Sequence, residues 1–298
     1  DKTGVVETFT PGAVNRMKSV RTDPGGKGIN VSKTLRMLGE ESRAIGILGG
    51  NTGAWIESAL KESGIDTDFV MTEHPTRTNL KLIDCVSGDT TDINEPGAQV
   101  TEHTLSEVKE RLLAGLIKDD IVVFSGSLPP GAPETLYGDW AGLCREHGAK
   151  AFVDADGGSL RHAVGAVPYA VKPNRHELSR LFGRELQDIG DILASGMRLI
   201  DGGVKIAAVS LGGDGALFLS KNARYRGCGL QVEAKSTVGA GDSMMAALAF
   251  GEARGMELEK TARLAIAVSA ASVMQSGSQS ADPNTVRELL GRVRLEKL

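Results

Sequence analysis

Gly239 and Gly241 stand one residue apart, directly before Asp242 and Ser243, at the mouth of the apolar run Met244 to Phe250. Two glycines so spaced let the backbone bend until successive N–H groups point inward. The N-terminus of the following helix adds its own free N–H groups and dipole, and together they make an anion hole. The run Ser236-Thr237-Val238-Gly239-Ala240-Gly241-Asp242-Ser243 thus sets a carboxylate beside an anion site. Asp242 reads two ways. It can be a plain cap on a helix that begins near Ser243. It can also be the base that takes a proton from an attacking hydroxyl, while Gly239, Ala240 and Gly241 hold a transferring phosphoryl group.

Three further runs carry polar groups at useful spacing. Pro24-Gly25-Gly26-Lys27-Gly28-Ile29-Asn30 opens a helix to Leu38. It is not a Walker A loop, because Lys27 is followed by Gly28 where that motif needs Ser or Thr. Gly25 and Gly26 allow close approach of a polar ligand, Lys27 supplies charge, and Asn30 offers a donor and an acceptor to a hydroxyl. It can equally be a glycine-rich helix entry. In Lys172-Pro173-Asn174-Arg175-His176-Glu177, Asn174 and Glu177 share one face of a helix start. They can reach magnesium directly or through its waters, or they can be an N-cap with its capping-box partner. Ser210-Leu211-Gly212-Gly213-Asp214-Gly215 is a glycine turn between two strands, either a plain hairpin or the wall of a nucleotide site.

Other chemistries find no support. The five His fall in no H-E-x-x-H spacing, and neither G-x-S-x-G nor G-x-G-x-x-G occurs. A serine hydrolase and an NAD-type oxidoreductase on a doubly wound sheet are therefore disfavoured. A net charge of −4 without a basic run disfavours nucleic acid. Cys85, Cys144 and Cys228 are far apart and read as buried thiols of a reducing cytosol. No stretch reaches the length of a membrane span and no signal peptide is visible, so a cytoplasmic location is expected. The chain begins with Asp1 and not Met, which reads as a processed or incomplete N-terminus.

The elements that must position these residues alternate. The short apolar runs Ala44–Leu48, Ile121–Phe124, Ala151–Val153, Tyr169–Val171 and Ile206–Leu211 read as strands buried on both faces. Between them lie the helical patterns 29–38, 55–63, 105–117, 133–147 and 186–199, with Gly39 and Gly64 at C-cap positions. The patterns 243–254, 258–275 and 284–293 read as three successive helices. Trp55 and Trp140 fall in helix patterns and read as packing residues. This alternation predicts an α/β fold, a mostly parallel sheet with helices on both faces. Polar clusters follow five of the strands: Gly49-Gly50-Asn51, Ser125-Gly126-Ser127, Asp154 with Asp156, Lys172-Pro173-Asn174, and Ser210 with Gly212 and Gly213. In a parallel sheet those strand ends share one ligand-binding edge. Residues 2–21 and 77–94 lack helical spacing and predict a small separate sheet, either a surface hairpin pair or a lid over a cleft.

Together these runs resemble the ribokinase-like (PfkB) sugar kinases over essentially the whole chain. Gly25 to Asn30 is similar to that family's N-terminal signature, Ser236 to Ser243 to its C-terminal signature, and Asn174 with Glu177 to its Asn-x-x-Glu motif. Ser125-Gly126-Ser127-Leu128-Pro129 and Ser210-Leu211-Gly212 are similar to the branch that acts on sugar phosphates, and Ser236 to Met244 looks most like its 1-phosphofructokinase and tagatose-6-phosphate kinase members. The resemblance implies a single ribokinase-like domain over 1–298, a three-layer α/β/α sandwich with a β lid from about 1–22 and 75–96. It implies ATP-dependent phosphorylation of a sugar phosphate, fructose 1-phosphate first and tagatose 6-phosphate second. A ribose or nucleoside kinase is a more distant alternative, and a non-catalytic sensor on this fold is expected to lack the base. Asp242 is similar to the catalytic base, with Gly239, Ala240 and Gly241 as its anion hole. Lys172, Asn174, Ser210, Gly212, Gly213, Gly215, Thr237 and Gly241 would meet ATP. Asn174 and Glu177 would organise Mg2+ through water or phosphate, and a monovalent cation is a further expected cofactor. Asp1, Gly25, Gly26, Asn30 and Ser127 would hold the sugar, with Lys27 and Arg77 on its own phosphate. Asp1 is similar to the Asp that closes the family's first strand, so most of that strand is expected to precede it. A homodimer through the lid strands is the implied assembly, with no nucleic acid or membrane partner.

Overall fold

The computed structural model describes residues 1–298. The chain opens with β1 (Lys2–Val6) and β2 (Met17–Thr22), then enters α1 (Lys27–Met37), β3 (Arg43–Gly49), α2 (Gly50–Glu62) and β4 (Asp66–Thr72). It continues through β5 (Asn79–Asp84), β6 (Thr90–Asn94), α3 (Glu102–Leu113), β7 (Ile121–Ser125), α4 (Leu136–Glu146), β8 (Lys150–Asp154) and α5 (Gly157–Gly165). Next come β9 (Ala170–Val171), α6 (Arg175–Phe182), α7 (Ile189–Asp201), β10 (Ile206–Ser210), β11 (Gly215–Leu219) and β12 (Arg224–Cys228). The chain closes with α8 (Ala240–Ala253), α9 (Leu258–Val273), α10 (Pro283–Leu290) and β13 (Leu295–Lys297).

The central sheet runs β13-β12-β11-β10-β9-β8-β7. Strands β7 to β10 are parallel, and β11 to β13 continue antiparallel. Parallel strands must be covered on both faces, which is why these segments carry little polarity. Successive side chains leave a strand on opposite faces, so neighbours in sequence serve different cores. Phe152 and Phe218 pack with Met245, Leu248, Ala265 and Leu289 under α8, α9 and α10. Val153, Leu217 and Leu219 pack with Leu160, Leu178 and Ile192 under α5, α6 and α7. The result is the expected three-layer α/β/α sandwich.

The predicted lid is present as a separate four-stranded sheet, β2-β1-β5-β6, in which β1 pairs antiparallel with β2 and parallel with β5. Strand β2 is exposed along its whole length. One expectation needs correcting: the parallel sheet is not continuous. β3 pairs only with β4, and residues of β3 and of β7, the edge strand of the central sheet, both line the central cleft.

Sequence patterns located most helices but not all their ends. α5 was too short to show a clear period, α6 showed only its start at Asn174, and β12 and β13 did not stand out. Helix α2 begins at Gly50, which leaves Trp55 on its outer face with 41% exposure and not as a packing residue. Trp140 does pack, 6.3 Å from Phe124 between ring centroids. Cys144 is buried, whereas Cys85 and Cys228 are exposed, contrary to the expectation for all three. Gly39 and Gly64 follow α1 and α2 in the left-handed conformation, as their positions suggested.

Candidate active site

Helix α8 starts at Ala240, earlier than the sequence suggested, because Gly239 adopts φ 82° and turns the chain directly into it. A side chain there would be strained, so the turn needs glycine. The first intrahelical bond runs from the Ser243 N–H to the Gly239 carbonyl at 2.8 Å, and no side chain caps the first turn. The N–H groups of Ala240, Gly241 and Asp242 therefore have no protein acceptor, the condition for an anion hole.

Asp242 is not the cap. Its Oδ2 accepts a 2.8 Å hydrogen bond from Asn30 Nδ2, supplied by α1. The packing of α1 on α8 aligns the two, and Thr34 Oγ1 meets Ser243 Oγ at 3.3 Å one turn further. Asp242 is 5% exposed. Burial pushes its pKa up to about 6. The Asn30 bond opposes this, Asp154 adds to it, and Lys172 and Lys27 oppose it. A carboxyl in that range can take a proton near neutrality and release it again.

Two lysines converge beside it. Lys172, buried at the end of β9, places Nζ 3.1 Å from Asp154 Oδ2, and Lys27 at the start of α1 places Nζ 3.4 Å from Asp154 Oδ1. Burial lowers the Lys27 pKa, but Asp154, Asp242 and Glu177 outweigh it and hold the group charged. A Cβ built on Gly241 would lie 3.0 Å from Lys172 Nζ, so this ammonium rests against the anion-hole backbone. The sequence placed Asp154 at a strand end without assigning it work. Its role shows only in three dimensions, as the counter-ion that fixes both ammonium groups. Lys27, expected at the sugar's own phosphate, lines the cavity with its ammonium beside Asp154.

Asn174 and Glu177 form the capping box of α6: Asn174 Oδ1 accepts from the Glu177 N–H and Glu177 Oε2 from the Asn174 N–H, both at 2.8 Å. That leaves Asn174 Nδ2 and Glu177 Oε1 free of the cap. Burial raises the Glu177 pKa. A direct metal cage is not built, because no three His, Cys, Asp or Glu side chains are grouped to hold an ion. Both residues line the cleft; Glu177 Oε1 can accept from a cation's water and Asn174 Nδ2 can donate to a phosphate oxygen.

One cavity of about 1510 Å³ joins these groups. Asp1, Gly25, Gly26, Lys27, Asn30, Arg77, Ser127, Lys172, Asn174, Glu177, Ser210, Gly239, Gly241 and Asp242 all line it. The strand-end clusters thus meet at one edge, as expected. Asp1 packs against Gly25, where a Cβ would strike its carboxylate. Arg77 reaches Pro96 from the lid side, Nη1 to the carbonyl at 3.4 Å. Gly212 and Gly213, with Asp214, form one 3-10 turn after β10, and Gly215 opens β11. These three glycines, Thr237 and Ala240 do not line the cavity. Asn30 Oδ1 and Ser125 Oγ are buried without any partner. Such orphaned groups are costly unless a ligand satisfies them, and both lie on this cavity.

Known proteins share the sequence and the fold of this chain. Residues 1–285 match the model of the pfkB family carbohydrate kinases. A 1-phosphofructokinase of Xanthomonas campestris is 38% identical, with 98% of this chain and 94% of that protein covered. A 1-phosphofructokinase of Bacillus subtilis is 33% identical, with 98% and 95% covered. The crystal structure of phosphofructokinase-2 from Escherichia coli in complex with substrates and products superposes with a TM-score of 0.94 at 29% identity, over 98% of this chain and 95% of that one. This chain belongs to the pfkB family of carbohydrate kinases.

Proposed function

We propose that this kinase transfers the γ-phosphoryl group of ATP to the primary hydroxyl of fructose 1-phosphate, giving fructose 1,6-bisphosphate and ADP. The observation that carries the reading is the buried Asp242 carboxylate, held by Asn30 beside the open N–H groups of an uncapped helix. The relatives named 1-phosphofructokinase support the choice of acceptor.

In this mechanism the sugar phosphate sits between the lid and Gly25-Gly26, with Asp1, Asn30 and Ser127 on its hydroxyls and Arg77 on its phosphate. The nucleotide runs past Ser210 and Asn174 to the anion hole. Gly212, Gly213, Gly215 and Thr237 act as its outer wall. Asp242 takes the proton of the attacking hydroxyl as the new O–P bond forms and the bond to ADP breaks. The N–H groups at Gly239, Ala240 and Gly241 hold the charge that develops on the phosphoryl oxygens. Lys172 and Lys27 stand close enough to share that charge once substrates loosen their contacts with Asp154. Mg2+, reached through the Asn174–Glu177 pair, would neutralise the nucleotide phosphates. Lid closure excludes water, so that ATP is not hydrolysed wastefully.

The 298 residues are read as one kinase domain. The outer lid face exposes Val14, Met17, Val20 and Ile93. An exposed sheet face with this much apolar surface supports a homodimer formed through the lid strands. No helix is long and apolar enough to cross a membrane, and use of ATP fits a cytoplasmic location. The test is an assay of ADP release over a panel of fructose 1-phosphate, fructose 6-phosphate, tagatose 6-phosphate and free sugars. Fructose 1-phosphate is expected to show the highest kcat/KM. A preference for tagatose 6-phosphate would move the chain to that branch of the family, and no turnover above background with any of them would sink the kinase reading.

A further inference from the structure

Lys33 is a half-buried lysine with no part in the chemistry above. It lies on α1, one turn beyond Asn30. Its ammonium donates to the carbonyl of Pro24 and, at 3.2 Å, to the carbonyl of Ser278. Pro24 belongs to the link Asp23–Gly26, which carries the chain from lid strand β2 into α1. Ser278 belongs to the segment that leaves α9. The two segments also press on each other directly. Asp23 is buried and takes Arg21 Nε on both carboxylate oxygens, at 2.8 and 2.9 Å. Gly277, at φ +65°, packs so tightly on it that a Cβ would lie 2.6 Å from Asp23 Oδ2. The end of α9 that leads to Ser278 also carries the approach to the anion hole. The Val273 carbonyl accepts the N–H groups of Lys235 at 2.7 Å and Ser236 at 3.1 Å, and Ser269 Oγ donates to the Ala240 carbonyl at 3.0 Å.

We infer that Lys33 is a positioning residue: its ammonium pins the lid's return link to the segment behind the anion hole, so that the sugar-side loop at Gly25-Gly26 and the phosphoryl-side loop at Gly239–Gly241 hold a fixed relation. The latch rests on geometry alone, and its effect on substrates rests on the function proposed above. Its hydrogen-bond partners are neutral carbonyls and not a carboxylate, and burial makes it keep its proton less firmly than an exposed lysine. Burial lowers its pKa to about 8, Asp23 opposes the fall and Arg21 adds to it. The titratable groups facing it are Asp23 and Arg21; the α9 side presents the Ser278 carbonyl. The latch is therefore strongest below pH 8 and weakens as pH rises through it.

Hydrogen exchange on the full chain, without ligand, tests the latch itself. Lys33→Met is expected to speed exchange about tenfold in residues 15–26 and 275–281, through more frequent local opening, and to leave α5 unchanged. Fructose 1-phosphate affinity, measured with a non-hydrolysable ATP analogue present, is expected to weaken in the wild type above pH 8. Lys33→Arg, whose guanidinium stays charged, is expected to hold its affinity across that range. Unchanged exchange in Lys33→Met would overturn the inference. So would an alkaline loss in Lys33→Arg equal to the wild type's, which would assign the titration to another group. If Lys33→Met does not fold, the Lys33→Arg profile still decides. Exchange that loosens as expected, in a protein that binds no sugar phosphate, supports the latch and refutes the acceptor assignment.

Discussion

Replacing Asp242 with Asn should disable the enzyme and stabilise the protein at the same time. The change removes the base and keeps the shape, since an amide oxygen at that position can still accept from Asn30 Nδ2. Loss of general base catalysis costs about 100-fold to 10,000-fold in turnover. The pH profile should change with it. Wild-type kcat/KM reports the free enzyme, so it should fall about tenfold per pH unit below the carboxyl's pKa, which stands at about 6. The residual activity of Asp242→Asn should lose that limb. Stability should move the other way. The Asp242 pKa is raised by folding, from 3.8 to about 6. Its ionised form therefore costs folding energy once pH exceeds both values, and the cost vanishes below both. The gap corresponds to on the order of 3 kcal/mol at neutral pH. The variant should thus melt several degrees higher than wild type at pH 7, with the difference closing near pH 4. Paired assays of ADP release and thermal unfolding at pH 4, 5.5 and 7 read both effects. A folded Asp242→Asn enzyme with near-normal turnover, or one whose Tm at pH 7 falls below wild type, would refute the reasoning.

Asp154→Asn removes a negative neighbour that raises the Asp242 pKa and frees the two lysines that lower it. The acid limb of kcat/KM should therefore shift to lower pH, and a limb that stays in place or rises would show that Asp154 does not act on the base. Arg77→Ala should raise KM for the sugar phosphate far more than KM for ATP. Lys27→Met should lower kcat as well, because its ammonium stands by Asp154 at the reacting end of the cleft; equal KM effects on both substrates in each variant would contradict the phosphate pocket. Gly239→Ala forces a side chain into φ 82° at a cost of roughly 1–2 kcal/mol; kcat should drop with little change in either KM, as a steady-state assay would show.

Much of this site was legible because its residues lie at strand ends and helix starts, where local sequence carries the signal. Gly239 to Asp242 could be read as an anion hole from glycine spacing alone. The Asn174–Glu177 pair could be read as a capping box, and the structure shows that box. What the sequence did not carry was pairing over distance. Asp154 looked like one polar strand end among several, and only the arrival of Lys27 and Lys172 from different elements gives it a role. The same limit hid Lys33, whose partners lie on both sides of the fold. Sheet continuity was misjudged for a related reason. Apolar runs identify strands, but nothing in a run states which edge it will find, and β3 pairs with β4 alone.

The burial of charge in this cleft argues for function more strongly than any single motif does. Asp154, Lys172 and Asp242 are each 5% exposed or less. Removing such groups from water is costly even when they pair, and apolar residues of similar size would often serve stability as well or better. The charges are also arranged unevenly. Lys172 and Lys27 share Asp154, whereas Asp242 is given only a neutral amide, Asn30, and burial holds its pKa up to about 6. A fold selected for stability alone would have paired Asp242 with one of the nearby lysines and kept its pKa low. Withholding that pairing leaves a carboxylate with unsatisfied proton affinity facing open N–H groups, which is the arrangement phosphoryl transfer to a hydroxyl requires.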